Sequence, residues 1–443
     1  MKLSKKTILQ AVLFAASLLI LLFPAIINGY VFLHGDSGVN IAVGFKHFVP
    51  IERPIFYGLF IELTSLRISL WLVAIAQSLL TAFVIHVVAL RIFGDKYHPF
   101  IPFFIILFLS LTSSCAYFVC QMKPDFFLPL MVLAFFTILT GKKKPGPTDI
   151  ILIAILVAGL ISHHSHLPIL AGLSFSVIIL VIILRKKPYT RNLLTRAVLL
   201  FVIVTGSWLL ALSVNYYFLG KFQLSRVKNI IYTSRLIQAG VFQEYVNDRC
   251  REDTTFTYCK YKDELVHYKT YFDYLWDDSS FLYDHPCREK GKQLCWVARN
   301  EEFGRVNSDI LHHSKYVRLF VINAIKTSLV QLTSFDIPVY ASYHRHSFPK
   351  EMTEKFLPVD KIYLEKSIQS DEQLEFRVQN KIQLIIVILS LLFIGLAYLI
   401  KRIRSLLIWE IRLMGIIILL SLAGNAFFLG LSILVIKHAF SDL

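Results

Sequence analysis

The chain reads as an all-α polytopic membrane protein of about nine transmembrane helices, with a disulfide-containing extracytoplasmic domain inserted before the last two. Three observations predict this class. Apolar runs near the ~20 residues of a bilayer crossing recur along the sequence. Clusters of Lys and Arg fall on alternate connections between those runs. From about Lys221 to Asn380 the chain turns polar and carries Cys250, Cys259, Cys287 and Cys295. Composition agrees: 56% of the 443 residues are hydrophobic, 17% are charged and the mean hydropathy is +0.60, too apolar for one soluble core.

The expected spans are 7–29, 68–92, 99–118, 124–141, 148–162, 167–185, 197–218, 381–400 and 407–436, the last readable also as a broken pair. Lys2, Lys5 and Lys6 precede the first. Arg91 and Lys96 follow the second, Lys142, Lys143 and Lys144 the fourth, Arg185, Lys186, Lys187, Arg191 and Arg196 the sixth, and Lys401, Arg402 and Arg404 the eighth. All these clusters share one face, so the amino terminus is expected in the cytoplasm and residues 219–380 outside it, in a periplasm or lumen. The first apolar run is longer than a signal core and no small-residue cleavage site follows it, so it reads as an uncleaved anchor.

This divides the chain into a seven-helix module, 1–218, with its first outer loop at 30–67; the extracytoplasmic domain, 219–380; and C-terminal helices, 381–443. The four outer cysteines allow three pairings, of which Cys250 with Cys259 and Cys287 with Cys295 close the shortest loops. Their spacing does not match a structural zinc site. Cys115 and Cys120, at the outer end of the third span, read as apolar fillers. The outer domain is rich in Tyr, Phe and Trp, enough apolar area to order it, and mainly helical structure is expected there. The run Tyr316–Leu332 has helical periodicity and could lie on the membrane surface.

Residues with chemistry gather on the outer face. The first loop holds His34-Gly35-Asp36-Ser37-Gly38 and then Glu52-Arg53-Pro54-Ile55-Phe56-Tyr57. Asp36 closely follows the first span, so its carboxylate stands at the membrane boundary, where it could take a proton from a nucleophile or cap the next helix. Arg53 offers a planar fork to phosphate, or snorkels to lipid headgroups. Lys123-Pro124-Asp125 opens the fourth span, where Asp125 is read as a second site carboxylate or as a helix-start residue. His163, His164 and His166 fill the connection between the fifth and sixth spans. Imidazoles so close in sequence need a tight bend to converge on one ion, so no metal site is assigned and a divalent cation is left open.

Asp36 after the first span, Arg53-Pro54-Ile55-Phe56-Tyr57 and Pro124-Asp125 together resemble the C-type superfamily of integral membrane glycosyltransferases over about residues 1–218. The resemblance implies transfer of a sugar from a polyprenyl-phosphate donor to an acceptor on the extracytoplasmic face. It implies Asp36 and Asp125 as catalytic residues, and Arg53, Tyr57, His34, Glu52, Lys123, His163, His164 and His166 around the substrate or its phosphate. The chain departs from many members in its fewer spans and in its long cysteine-containing insertion.

The implied partners are membrane lipid and a lipid-linked sugar, with a protein partner of the outer domain as a further class. Nucleic acid is not expected, because the net charge of +16 sits in short anchors between apolar runs and makes no basic face. A transporter or flippase would carry ionisable groups deep in its spans, which hold few apart from His86. A non-enzymatic membrane assembly factor would use the outer aromatics as anchors.

Overall fold

The computed structural model describes residues 4–141, 146–183, 190–268, 270–284, 286–334, 336–337, 347–371, 374–400 and 409–432. Lys2, Lys142, Lys143, Lys144, Arg185, Lys186, Lys187, Lys401, Arg402 and Arg404 of the basic clusters lie outside the described residues. Helices dominate, and among the described residues the one β-pairing is an isolated parallel bridge between Phe32 and Gln121. Six helices among the described residues are long and apolar enough to cross a membrane: Lys5–Asn28, Leu70–Phe93, His166–Ile183, Asn192–Leu219, Arg377–Ala397 and Trp409–Phe427. Helices of this kind suggest a multi-pass membrane protein. Phe100–Thr112, Pro124–Leu139 and Pro147–Ser162 are apolar but shorter.

The chain forms two compact units. The first comprises Met1–Pro50, Pro54–Lys221 and Phe335–Ser421. Its α1, Lys5–Asn28, starts at Ser4, whose hydroxyl accepts from the Thr7 N–H at 3.1 Å, and stops at Gly29, whose φ of 80° suits glycine. The connection after α1 holds α2, Ser37–Lys46, and α3, Phe56–Ser65. They approach at backbone distance: a Cβ on Gly58 would stand 2.7 Å from both the Asn40 carbonyl oxygen and the Gly44 nitrogen.

Next come α4, Leu70–Phe93, α5, Phe100–Thr112, and the short α6, Cys115–Val119. The expected 99–118 span is thus two pieces. Ser113 turns extended (φ −140°, ψ 175°), its hydroxyl bonds the Leu109 carbonyl at 2.6 Å, and Gln379 donates to the carbonyls of Leu111 at 3.3 Å and Ser113 at 3.2 Å. Freed carbonyls at a helix end need such donors. The bundle continues with α7, Phe127–Leu139, α8, Pro147–Ser162, α9, His166–Ile183, and α10, Thr190–Leu219. The α7 helix packs on α8 and α4, and α10 on α8 and α9. Cys120 is buried, with its thiol 3.2 Å from the Leu21 carbonyl, and Cys115 packs in the apolar cluster around Leu21 and Ile106.

The second unit comprises Ile51–Arg53, Phe222–Ser334 and Leu422–Leu443. It holds α11, Lys228–Gln238, α12, Val241–Glu252, α13, Tyr271–Trp276, α14, Lys292–His312, and α15, Ser314–Leu332. Its core is largely aromatic: Phe242, Tyr258, Tyr274, Phe281 and Phe303 pack with centroid separations of 5.2–6.5 Å. Arg299 is buried among them. Its Nη1 donates to the carbonyls of Phe281 at 2.6 Å and Leu282 at 2.9 Å, and its Nε and Nη2 grip Glu302 at 3.0 and 2.8 Å. Disulfides join Cys250 with Cys259 and Cys287 with Cys295, the two short-loop pairs. The α15 helix buries Tyr316 and Phe320 and leaves Ile322, Ile325 and Leu329 exposed.

Residues 335–380, read from the sequence as part of the outer domain, group with the first unit. They contribute α16, Phe348–Phe356, α17, Lys361–Glu365, and the start of α18, Arg377–Leu399. The reason is a set of buried polar contacts. Asp360, fully buried, accepts from the Tyr30 hydroxyl at 2.7 Å, the Ser69 hydroxyl at 2.5 Å and the Leu70 N–H at 2.7 Å. Gln369 pairs its side-chain amide with both backbone groups of Leu33 and donates its own N–H to Asn28 Oδ1 at 2.8 Å. The described part of the last apolar run is one helix, α19, Trp409–Ser432.

Candidate functional site

The site is assembled by a short zipper within the first unit. The Phe32 N–H donates to the Cys120 carbonyl at 3.0 Å, and the Met122 N–H donates back to the Phe32 carbonyl at 2.9 Å. Ser37 extends the zipper: its hydroxyl donates to the Met122 carbonyl at 2.8 Å and accepts from the His34 N–H at 2.8 Å. The turn that carries His34 and Asp36 is therefore fastened beside the turn that carries Lys123 and Asp125, although some 85 residues separate them in the chain.

Asp36 occupies the residue before α2, yet its side chain makes no capping hydrogen bond, so the capping role considered for it is not the one adopted. Its carboxylate is 45% exposed, and His34 Nδ1 lies 3.9 Å from Oδ2. A half-exposed carboxylate on a turn fixed by buried hydrogen bonds is accessible and well positioned at once, as a proton acceptor requires.

Asp125 lies in the turn that leads into α7, and Lys123 Nζ stands 3.3 Å from its Oδ2. The side chain is 31% exposed overall while that oxygen is buried. The chain end of α8 brings two imidazoles to it: one ligand atom each of Asp125, His163 and His166 lie within 4.8 Å of one another. His166 is fully buried, with Nδ1 2.8 Å from the Gly159 carbonyl, and its ring stacks obliquely on His163 at 5.2 Å. Ser165 Oγ is 2.5 Å from His163 Nδ1. The bend that the histidines needed is the turn 163–165, closed by the His166 N–H on the His163 carbonyl at 3.1 Å. His164 is not part of this group.

Tyr57 is the third element. Its hydroxyl is fully buried on α3 and donates to Gln77 Oε1 at 2.9 Å. Gln77 Nε2 in turn donates to the carbonyls of Val119 at 2.6 Å and Gln121 at 3.1 Å, bracing the segment that precedes Lys123. Burial pushes the Tyr57 hydroxyl well above the ordinary phenol range and the Asp125 carboxylate adds to it, so Tyr57 remains a neutral donor.

Arg53 and Glu52 are placed differently. They belong to the second unit, where Arg53 Nε donates to Glu52 Oε1 at 3.1 Å. The segment is held there because the Ile51 carbonyl accepts from the Arg226 N–H at 2.8 Å and the Ser225 hydroxyl at 3.1 Å. The Arg-Pro-x-x-Tyr element is thus divided between units at Pro54.

Ser37, Gln77, Asn28, Gln369 and Asp360 were not assigned roles from the sequence, and apart from Gln77 no local signal marks them. A buried glutamine inside an apolar run, Gln77, is the one that composition alone could have flagged. No protein family model, no curated protein and no solved structure matches this chain.

Proposed function

We propose that the protein is a membrane glycosyltransferase that moves a sugar from a polyprenyl-phosphate-linked donor to an acceptor hydroxyl on the extracytoplasmic face. The observation that carries this reading is the fastening of the Asp36 turn beside the Lys123–Asp125 turn, with His163 and His166 brought to the latter. Transfer needs a carboxylate to accept the proton of the attacking hydroxyl and positive or hydrogen-bonding groups around the departing phosphate. Asp36 supplies the first, and Lys123, His34 and the histidines the second.

In the proposed step the acceptor oxygen bonds the anomeric carbon as its proton passes to Asp36. The bond from that carbon to the phosphate oxygen breaks, and the lipid phosphate leaves with the electron pair. Asp125 holds Lys123 in position, and Tyr57 acts through Gln77, which braces the segment before Lys123. The reading counts the six long and three shorter apolar helices as nine crossings. It sets the amino terminus in the cytoplasm and the disulfide-bonded unit outside, where disulfides persist.

The test is incubation of the purified protein with a panel of polyprenyl-phosphate sugars, with native mass spectrometry of its bound lipid. A bound polyprenyl phosphate and label transferred from one donor are expected. No transfer from any donor, with only ordinary phospholipid bound, would count against the proposal.

A further inference from the structure

We propose that Asp125, His163 and His166 bind a divalent transition-metal ion, with zinc the ion their donor set suits best. The inference is independent of sugar transfer, since metal binding is read without any substrate.

Two imidazoles and one carboxylate form a borderline N2O set, the kind that zinc takes when it keeps a coordination position open. In a tetrahedral site with bonds of about 2.0–2.1 Å, donor atoms stand about 3.4 Å apart. The three side chains hold their atoms within 4.8 Å, so closing on an ion requires movement of about an ångström, within reach of small side-chain rotations.

His166 carries the independent evidence. Its Nδ1 faces the Gly159 carbonyl at 2.8 Å, which only an Nδ1–H can satisfy. That fixes the tautomer and leaves Nε2 with a lone pair, and Nε2 is buried with no hydrogen-bond partner on a residue of zero exposure. A buried acceptor of this kind calls for an occupant. A histidine that donates one ring nitrogen to a backbone carbonyl and keeps the other unpaired beside a carboxylate and a second imidazole is held as metal ligands are. His163 is held through its Nδ1 as well, but there the nitrogen accepts from the Ser165 N–H at 3.3 Å with the Ser165 hydroxyl 2.5 Å away, so its ring is oriented by Ser165 and gives up a proton or turns when it takes an ion.

Lys123 is the built-in competitor. Its ammonium, 3.3 Å from Asp125 Oδ2, neutralises the carboxylate that a divalent ion would bind. The alternative account is an ordinary ion pair beside two packed histidines, and the two accounts differ on what removal of the lysine does. If ion and ammonium share the carboxylate, loss of the ammonium strengthens metal binding.

The test uses the full chain in detergent, stripped with a chelator and titrated with Zn2+ alone against a chromophoric competitor, and with Co2+ as a spectroscopic probe. The parent is expected to bind one equivalent with visible Co2+ bands of a low-coordinate site. Asp125→Asn, His163→Gln and His166→Asn should each weaken Zn2+ by at least ~10–100-fold, whereas Lys123→Gln should tighten it by ~10-fold. Should buried His166→Asn fail to fold, the partly exposed His163→Gln reads the same ligand set. Binding that survives unchanged in Asp125→Asn and His163→Gln would assign the metal to other histidines and overturn the proposal. So would a parent that takes up no metal.

Discussion

Removing the Asp360 carboxylate should release the segment that holds the first unit together, and the loss can be worked from its partners. Three donors converge on it: the hydroxyls of Tyr30 and Ser69 and the N–H of Leu70, the first residue of α4. Asp360 thus caps α4, a helix long and apolar enough to cross a membrane, from 290 residues away, where an acidic group meets the positive end of the helix. In Asp360→Ala the Leu70 N–H and the Tyr30 hydroxyl, both on residues of zero exposure, lose their acceptor. Each unsatisfied buried group costs about 1–3 kcal/mol, so a loss of about 4 kcal/mol is expected. Asp360→Asn keeps one oxygen for those two donors, and Ser69 can rotate its hydroxyl to accept from the amide, so it should lose about 1–2 kcal/mol, the charge-assisted share. Unfolding titration in mixed micelles measures both. Trp71 fluorescence is a local reporter, since the Trp71 ring stands 6.4 Å from that of Tyr30. Asp360→Ala within 1 kcal/mol of the parent, or no gap between the two variants, would refute the reasoning.

Two further outcomes follow from the packing and the charges. Gly58→Ala sets a Cβ against the backbone of α2 with no flexible side chain to yield, so it should destabilise by about 1–3 kcal/mol and lower the thermal midpoint; an unchanged midpoint would show that α2 and α3 can part freely. In the second unit, hydrogen bonds from Lys315 and Tyr316 hold Asp248 below the usual carboxylate range. A carboxylate depressed in the folded state contributes stability above its unfolded value and loses it as pH falls through the folded one. Near-UV circular dichroism of the aromatic core should therefore weaken below about pH 4, and less so in Asp248→Asn; equal acid sensitivity in the two proteins would exclude Asp248 as the cause.

Hydropathy made the helices legible because a bilayer crossing leaves its mark within ~20 consecutive residues. The break at Ser113 escaped because its cause is remote: Gln379 supplies the donors that let α5 stop early. The short-loop disulfides were legible as the tightest of three options. Asp36, Asp125 and the histidines stood out by chemistry and position, but their grouping depended on contacts with no local signature. The Phe32–Gln121 pairing, the Ser37 hydrogen bond and the turn at 163–165 are set by tertiary packing. The grouping of 335–380 with the first unit was hidden for the same reason, since the buried contacts of Asp360 and Gln369 support it. Arg53 and Tyr57, four residues apart, looked like one element because proximity in sequence does not reveal a unit boundary at Pro54.

The most direct measurement of the proposed chemistry is the rate of sugar transfer from a polyprenyl-phosphate donor by Asp36→Asn beside the parent, with thermal stability recorded for both. The side chain is half exposed and makes no capping hydrogen bond, so the substitution should leave folding unchanged. The account predicts a turnover lower by a factor of ~10²–10⁴ with the thermal midpoint preserved. A folded Asp36→Asn protein that transfers sugar at the parental rate would contradict it.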